Sequence, residues 1–413
     1  MRFALAGLLG LGLTLPAQEQ DLAARLAHVE AQLRALQAER EQAQLAGAPL
    51  GALTVRPGLG PAGSKVYTTP GGVAFGGYGE LNFAEIAGRV DQADAQRAVV
   101  FLGHRFDERW LVNTELEFEH GTTEASSGTT TGGGSVSVEQ AYLEYEASAT
   151  FALRAGLVLV PLGLVNEQHE PTLFFATRRA QTETRIIPST WRELGVGVLG
   201  ESAGFAWRGY LLTSLDGEEF GAAGLRSGRQ KGNRAAADDL AGAVRLDFLG
   251  CEGLVVGGSV FSGRTGQDQL RSGIRIPAMH TTVADLHLAV EVGPCTVRSV
   301  AATAYVHDAG AYDRATGQRL ARRMDGIYVE AACDVLAALG VEGGHELAPF
   351  VRWEWIDTHA DLPQGVLRDR AQRDRIVTVG LDWKPRPEIV FKLDYEDWNA
   401  DGDRFNLALG YVF

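Results

Sequence analysis

Between Gly163 and Ser189 the chain reads GLVNEQHEPTLFFATRRAQTETRIIPS, a run that interleaves charge with apolar bulk. With the residues just after it, this stretch supplies Arg178, Arg179, Arg185 and Arg192 against Glu167, Glu170, Glu183 and Glu193, a local balance of sign. A guanidinium is a planar fork that donates paired hydrogen bonds to phosphate or carboxylate. Rings of arginine favour anions and rings of acid favour cations, most strongly where low-dielectric walls focus the field. The acids Glu115, Glu117 and Glu119 tilt the balance one way, and Arg154, Arg208 and Arg245 tilt it back. A transverse field is therefore the expected arrangement, with structural ion pairs that anchor the loop as the alternative for any single arginine. Enzymatic chemistry has less to work with. His169, His287 and His307 are candidate bases, but the chain contains neither a GxSxG nucleophile elbow nor an HExxH helix. The HEP triplet at His169 is too small for a metal site, so His169 reads as a loop-packing or lining residue. No catalytic residue, metal or cofactor is expected.

The elements that must carry this loop show themselves by alternation. In Arg109 to His120, Trp110, Val112, Leu116 and Phe118 share one face, and Asn113, Glu115, Glu117 and Glu119 share the other, which is the two-residue period of a β-strand. Phe151, Leu153, Leu157 and Leu159 oppose Arg154 in the same way, and Val244, Leu246 and Phe248 oppose Arg245 and Asp247. Val351, Trp353 and Trp355 oppose Arg352 and Glu354, while Ile389, Phe391, Leu393 and Tyr395 oppose Lys392, Asp394 and Glu396. The chain ends DRFNLALGYVF, with Phe405, Leu407, Leu409, Tyr411 and Phe413 on one face and Asn406, Ala408, Gly410 and Val412 on the other. Acids in a row cannot meet lipid, so the apolar face is the membrane face and the charged face is inward.

Strands are expected to start near Val73, Gln96, Arg109, Ser135, Thr150, Thr190, Gly204, Leu240, Gly253, Thr281, Cys295, Arg322, His345, Asp374, Glu388 and Arg404, about 16 in all. Short connections alternate with long ones rich in Gly, Ser, Thr and charge. The predicted fold class is all-β, a transmembrane antiparallel barrel of about 16 strands over residues 73–413, with a lumen wide enough for water. An even strand count places both barrel ends on the periplasmic side. Leu173, Phe174, Phe175, Ile186 and Ile187 are too apolar for a solvated outer loop, so 163–189 is expected to fold into the lumen and narrow it.

Before the barrel, Met1 and Arg2 precede an apolar run from Phe3 to Leu15 and then Pro16 and Ala17, the layout of a secretory signal over 1–17. Leu22, Leu26, Val29, Leu33 and Leu36 form a heptad stripe, so 18–46 is expected to be a short coiled-coil helix in the periplasm that joins three copies, with Arg40 weakening the seam. Residues 47–72, with four prolines and many glycines, read as a flexible linker. No later segment offers 18 consecutive apolar residues, so no membrane-spanning helix is expected. A net charge of −14 argues against nucleic-acid binding. The mean hydropathy of −0.06 fits alternation, which averages lipid-facing and water-facing residues. Of Cys251, Cys295 and Cys333, the first and second both fall beside short turns and a bridge between them is possible; free thiols are the expectation, and the pairing stays open.

The stretches LVPLGLVNEQHEP from Leu159 to Pro171, IIPSTWRELGVG from Ile186 to Gly197, and the terminal GYVF resemble Gram-negative outer-membrane porins, particularly the phosphate-selective porin O/P-like family, and in architecture the likeness covers the whole chain. The resemblance implies a trimeric 16-stranded porin whose third long loop forms the constriction, and whose aromatic carboxy-terminal strand is read by the barrel-assembly machinery. Individual phosphate-binding residues do not match, so phosphate selectivity is not implied. The expected function is passive diffusion of small hydrophilic solutes or ions through a water-filled channel in outer-membrane lipid. The alternatives are a non-conducting structural protein tethered through its coiled coil, and an outer-membrane hydrolase.

Overall fold

A computed structural model of the chain describes residues 58–123, 133–271, 273–341 and 343–413. The expected signal and coiled coil lie outside the described residues.

Sixteen antiparallel strands close into a barrel. They are β1 (Gly72–Ile86), β2 (Gln92–Arg105), β3 (Trp110–Glu119), β4 (Val136–Ser148), β5 (Phe151–Leu159), β6 (Arg192–Ser202), β7 (Phe205–Thr213), β8 (Leu240–Cys251), β9 (Leu254–Arg264), β10 (His280–Val292), β11 (Cys295–Val306), β12 (Arg323–Cys333), β13 (Glu346–Asp361), β14 (Arg373–Arg386), β15 (Ile389–Trp398) and β16 (Arg404–Val412). Each strand pairs with its sequence neighbours, and β16 returns to β1 with Leu81 opposite Leu409 and Tyr78 opposite Val412. Closure leaves no unpaired edge, the condition for a sheet in lipid. Among the described residues no helix is long and apolar enough to cross a membrane.

Sidedness follows the alternation. On β16, Leu407, Tyr411 and Phe413 are exposed and Phe405 and Leu409 half-buried, while Asn406, Ala408, Gly410 and Val412 are buried. On β3, Trp110 and Phe118 are exposed and Asn113, Glu115 and Glu117 are buried; Glu119, at the rim, is half-buried. Leu157 and Leu159, expected on the open outer face, are instead buried, and Gly232 of the 214–239 connection (L4) lies against Leu157.

Two expectations change. First, the span expected to be a linker contains a helix, α1 (Pro61–Thr68), inside the barrel, with Leu59, Ala62 and Val66 buried. Pro61 suits the first helical turn because its missing N–H is one of the unbonded donors there. α1 lies on β1, β2 and β3, and it comes so close to β2 that a Cβ at Gly103 would sit 2.6 Å from the Val66 side chain. Second, the disulfide joins Cys295 to Cys333, and Cys251 is free and exposed. Cys295 and Cys333 are direct cross-strand partners between β11 and β12, a proximity set by register, which adjacency to turns does not report.

Candidate functional site

The connection between β5 and β6, residues 160–191 (L3), enters the lumen and is held by the far wall. Lys392 on β15 donates to the carbonyls of Phe174 at 2.6 Å and Ala176 at 3.2 Å, with its ammonium 3.7 Å from the Phe174 ring centre. The N–H of Thr177 donates to Asp394 at 2.6 Å, and the N–H of Gln181 donates to Glu354 on β13, also at 2.6 Å. Arg298 on β11 donates to the Leu173 carbonyl at 2.6 Å, and Arg352 to the Arg178 carbonyl at 2.9 Å. Nearer its start, Gly163 donates to Asp285 on β10, and its carbonyl accepts from Arg245. The wall charges thus satisfy the backbone of a loop that has no helix or ladder of its own over most of its length. Leu173, Phe174, Phe175, Ile186 and Ile187 are all buried in this position.

The charges named from sequence fall into separate groups. Glu167 faces Arg208 at 3.3 Å and Arg245 at 4.0 Å, and both arginines also hold Asp247 at 2.8 Å. Arg154 pairs with Glu144 at 2.7 Å and lies over the Tyr142 ring. Arg185 donates to Gln372 at 2.5 Å, and Arg178 is exposed. Glu193 is buried under donors from Trp191, Thr213 and Gln230. Arg179, Arg192, Arg226 and Arg229 converge on Ser189 and Thr190, where each donates to a backbone or hydroxyl oxygen. Most of these side chains are tied into local pairs, which is the anchoring alternative to an open transverse field.

Three L3 carboxyl and imidazole groups sit in unusual surroundings. Glu170 caps α1, accepting from Ala62 at 3.0 Å and Gly63 at 3.4 Å; burial pushes its carboxyl up to about 7 against the pull of those N–H groups. Glu183 accepts from Leu164, Val165 and the Tyr328 hydroxyl, and burial outweighs these donors and raises it above the ordinary carboxyl range. His169 faces Glu139 and Glu115; burial alone would lower it, but the two carboxylates more than offset that and hold it at about 9.

Sequence reasoning missed α1 and Glu139. At Glu139 the ladder between β3 and β4 slips, with Glu115 opposite Gln140 and Leu116 opposite Val138. This β-bulge buries two successive residues, Glu139 and Gln140, so strict alternation could not find both. Under L3 lies a cavity of about 320 Å³ that reaches Cys251 at the end of β8 and Glu252 in the turn after it, with Arg179, Arg208, Arg245, Arg352, Glu183, Asp247 and Glu330 in its lining.

Solved structures with a similar fold are outer-membrane porins and channels. A loop-deleted form of OmpT, an outer membrane protein of Vibrio cholerae, is 12% identical, with 84% of this chain and 100% of that one covered and a TM-score of 0.54. OmpF of Salmonella typhi in complex with daunomycin is 10% identical over 83% of this chain and 98% of that one, with a TM-score of 0.55. The outer membrane channel DcaP of Acinetobacter baumannii is 12% identical over 83% and 97%, with a TM-score of 0.51. These likenesses define the class, a porin-like barrel of the outer-membrane type. No family model matches the chain. An uncharacterised protein of Aquifex aeolicus (strain VF5) is 34% identical over 375 residues, 86% of this chain and 83% of that protein, and this chain belongs to the same family.

Proposed function

We propose that the protein is an outer-membrane porin through which small hydrophilic solutes or ions diffuse passively, and that L3 and α1 set the width and the charge of the path. The observation that carries this reading is the crossing of L3 through a closed barrel to the wall opposite its root, under the hold of Lys392, Arg298 and Arg352. Solute passes between the loop and a charged wall, and no energy source takes part. The termini and short turns then face the periplasm, the chain assembles as a homotrimer through the 18–46 segment, and its carboxy-terminal strand is handed to the barrel-assembly machinery. The narrower kinship with phosphate-selective porins rests on the stretches at Leu159 to Pro171 and Ile186 to Gly197. Of the charged residues named for the constriction, the exposed Arg178 and the half-buried Arg179 and Arg185 meet the solute, while the buried Glu115, Glu117, Arg154, Glu167, His169, Glu170, Glu183, Arg192, Glu193, Arg208 and Arg245 fix the wall and L3 around it.

A second reading, a non-conducting structural barrel, is favoured by α1, which shares the lumen with L3. Planar-bilayer recording separates the two. Stepwise openings, with a reversal potential in a salt gradient that shifts in Arg178→Ala and Arg179→Ala, support a charge-filtering pore. A silent barrel at full protein incorporation supports the structural one.

A further inference from the structure

The bulge in β4 turns Glu139 toward His169 of L3, and Glu115 of β3 reaches the same point. All three are essentially inaccessible, Glu115 and Glu139 at 0% exposure and His169 at 3%. One ligand-type atom from each converges: His169 Nε2 lies 3.2 Å from Glu139 Oε2 and 3.6 Å from Glu115 Oε1, and the three atoms all lie within 4.8 Å of one another.

These spacings are long for an imidazolium paired with carboxylates, whose charged hydrogen bonds run about 2.7–2.9 Å. They bracket the separation of two atoms that share a tetrahedral ion. Ligands about 2.0–2.1 Å from such an ion stand roughly 3.3–3.4 Å apart. The remaining atoms of each group are already engaged. His169 Nδ1 faces the Asn166 carbonyl at 3.0 Å, the outer-sphere bond that fixes the ring and directs Nε2 at the two carboxylates. Glu115 Oε2 accepts from Gln140 at 2.7 Å, and Oε1, the atom that faces the imidazole, is oriented by the Tyr78 hydroxyl, which donates to it at 3.0 Å. Arg192 takes only Oε1 of Glu139, at 3.3 Å, and leaves Oε2 to face the imidazole.

We propose that Glu115, Glu139 and His169 form a binding site for a divalent transition-metal cation of the zinc type, which clips L3 to β3 and β4. The donor set of two carboxylate oxygens and one imidazole nitrogen suits zinc and its neighbours better than calcium or copper(I). Two carboxylates and a divalent ion sum to zero charge, and the adjoining Arg192, which donates to Glu139 at 3.3 Å, is offset by Glu117, hydrogen-bonded to the same carboxylate. The ion takes the place of the proton on Nε2, with water in the fourth position.

The test uses the full chain folded in detergent, stripped with chelator and titrated with Zn²⁺, and separately with Co²⁺ as a spectroscopic reporter. Binding of one ion per chain is expected, with the intense visible absorption of four-coordinate cobalt and a chelator-reversible rise in thermal midpoint. His169→Gln and Glu139→Gln should each weaken binding by at least about tenfold, whereas a double change at His280 and His307, whose rings lie 6.1 Å apart, should leave it unchanged. The wild-type titration needs no variant to fold. Absence of stoichiometric binding by the wild-type chain overturns the proposal, as does binding that survives loss of His169 or that disappears with His280 and His307.

Discussion

The carboxylate of Glu170 accepts hydrogen bonds from the backbone N–H of Ala62, 3.0 Å from one oxygen and 3.2 Å from the other, across 108 residues of sequence. An L3 side chain thereby closes the N-terminus of α1, whose own N-cap position is Gly60 and provides no side chain. The two obstacles in the lumen are one unit at this point, and Asn113 extends the hold by donating to the Gly63 carbonyl at 2.9 Å.

Glu170→Ala should release α1 from L3. Loss of a helix N-cap costs about 0.5–2 kcal/mol, and α1 has little else at that end. The expected outcomes are faster proteolysis near Lys65 and a larger or noisier single-channel current. Unchanged cleavage and conductance would mean that wall contacts alone hold the helix.

Lys392→Met should loosen L3 from the far wall. It strips two carbonyls of their donor, and each buried group left unpaired costs roughly 1–3 kcal/mol. Conductance should rise and the thermal midpoint fall. The diagnostic is the comparison with Lys384→Met, because Lys384 pairs with Glu346 at 3.3 Å, a pairing that leaves L3 untouched; equal conductance in the two variants would refute an anchoring role for Lys392.

Glu183 gives L3 a pH dependence. Its folded value is raised by burial, so its stabilising contribution is fully present below the ordinary glutamate value of about 4.3 and is lost as pH rises through the folded value. Thermal stability should therefore decline from acidic pH upward, and Glu183→Gln should flatten that part of the profile. Identical slopes in the two proteins would remove Glu183 from the account.

Thiol counting checks the cysteine arrangement. Unfolded, unreduced protein should react at Cys251 alone, and reduction should expose Cys295 and Cys333 as well. A bond closing a separation of 38 residues is worth roughly 2–4 kcal/mol, so Cys295→Ser should lower the free energy of unfolding by that amount. Two reactive thiols after reduction, or three before it, would contradict the pairing.

Leu407→Arg and Asn406→Arg test sidedness on adjacent residues. Leu407 is an exposed outer-face residue and Asn406 is buried beside Asp394, donating to it at 2.7 Å. Arginine on the lipid face costs up to about 2–4 kcal/mol near the bilayer midplane. A larger loss at 407 in lipid, which shrinks when the barrel is moved to a more polar detergent, is the expected pattern; no lipid dependence would argue against a membrane face there.

Alternation is a local property, so the strands were legible one at a time. Each of the sixteen expected starts falls within a few residues of a real one, and the stripe ending at Phe413 does pair with β1. The apolar residues of L3 likewise betrayed that it could not stay in water, and it lies buried. Composition misled at Pro61 to Thr68, because the group that caps α1 is Glu170, far along the chain. The Cys295 to Cys333 bond depends on which residues face each other across β11 and β12, and turn positions say nothing about register.

The chain by itself therefore determined the solvent of each face, the strand count and the loop that leaves the wall, because these follow from which side chains tolerate lipid and which do not. Tertiary structure alone decided which carboxylate meets which cation, where α1 docks and that Glu139 turns inward beside His169. Those outcomes rest on barrel closure, on one bulge that breaks the two-residue period, and on backbone donors that find partners only when distant strands come together.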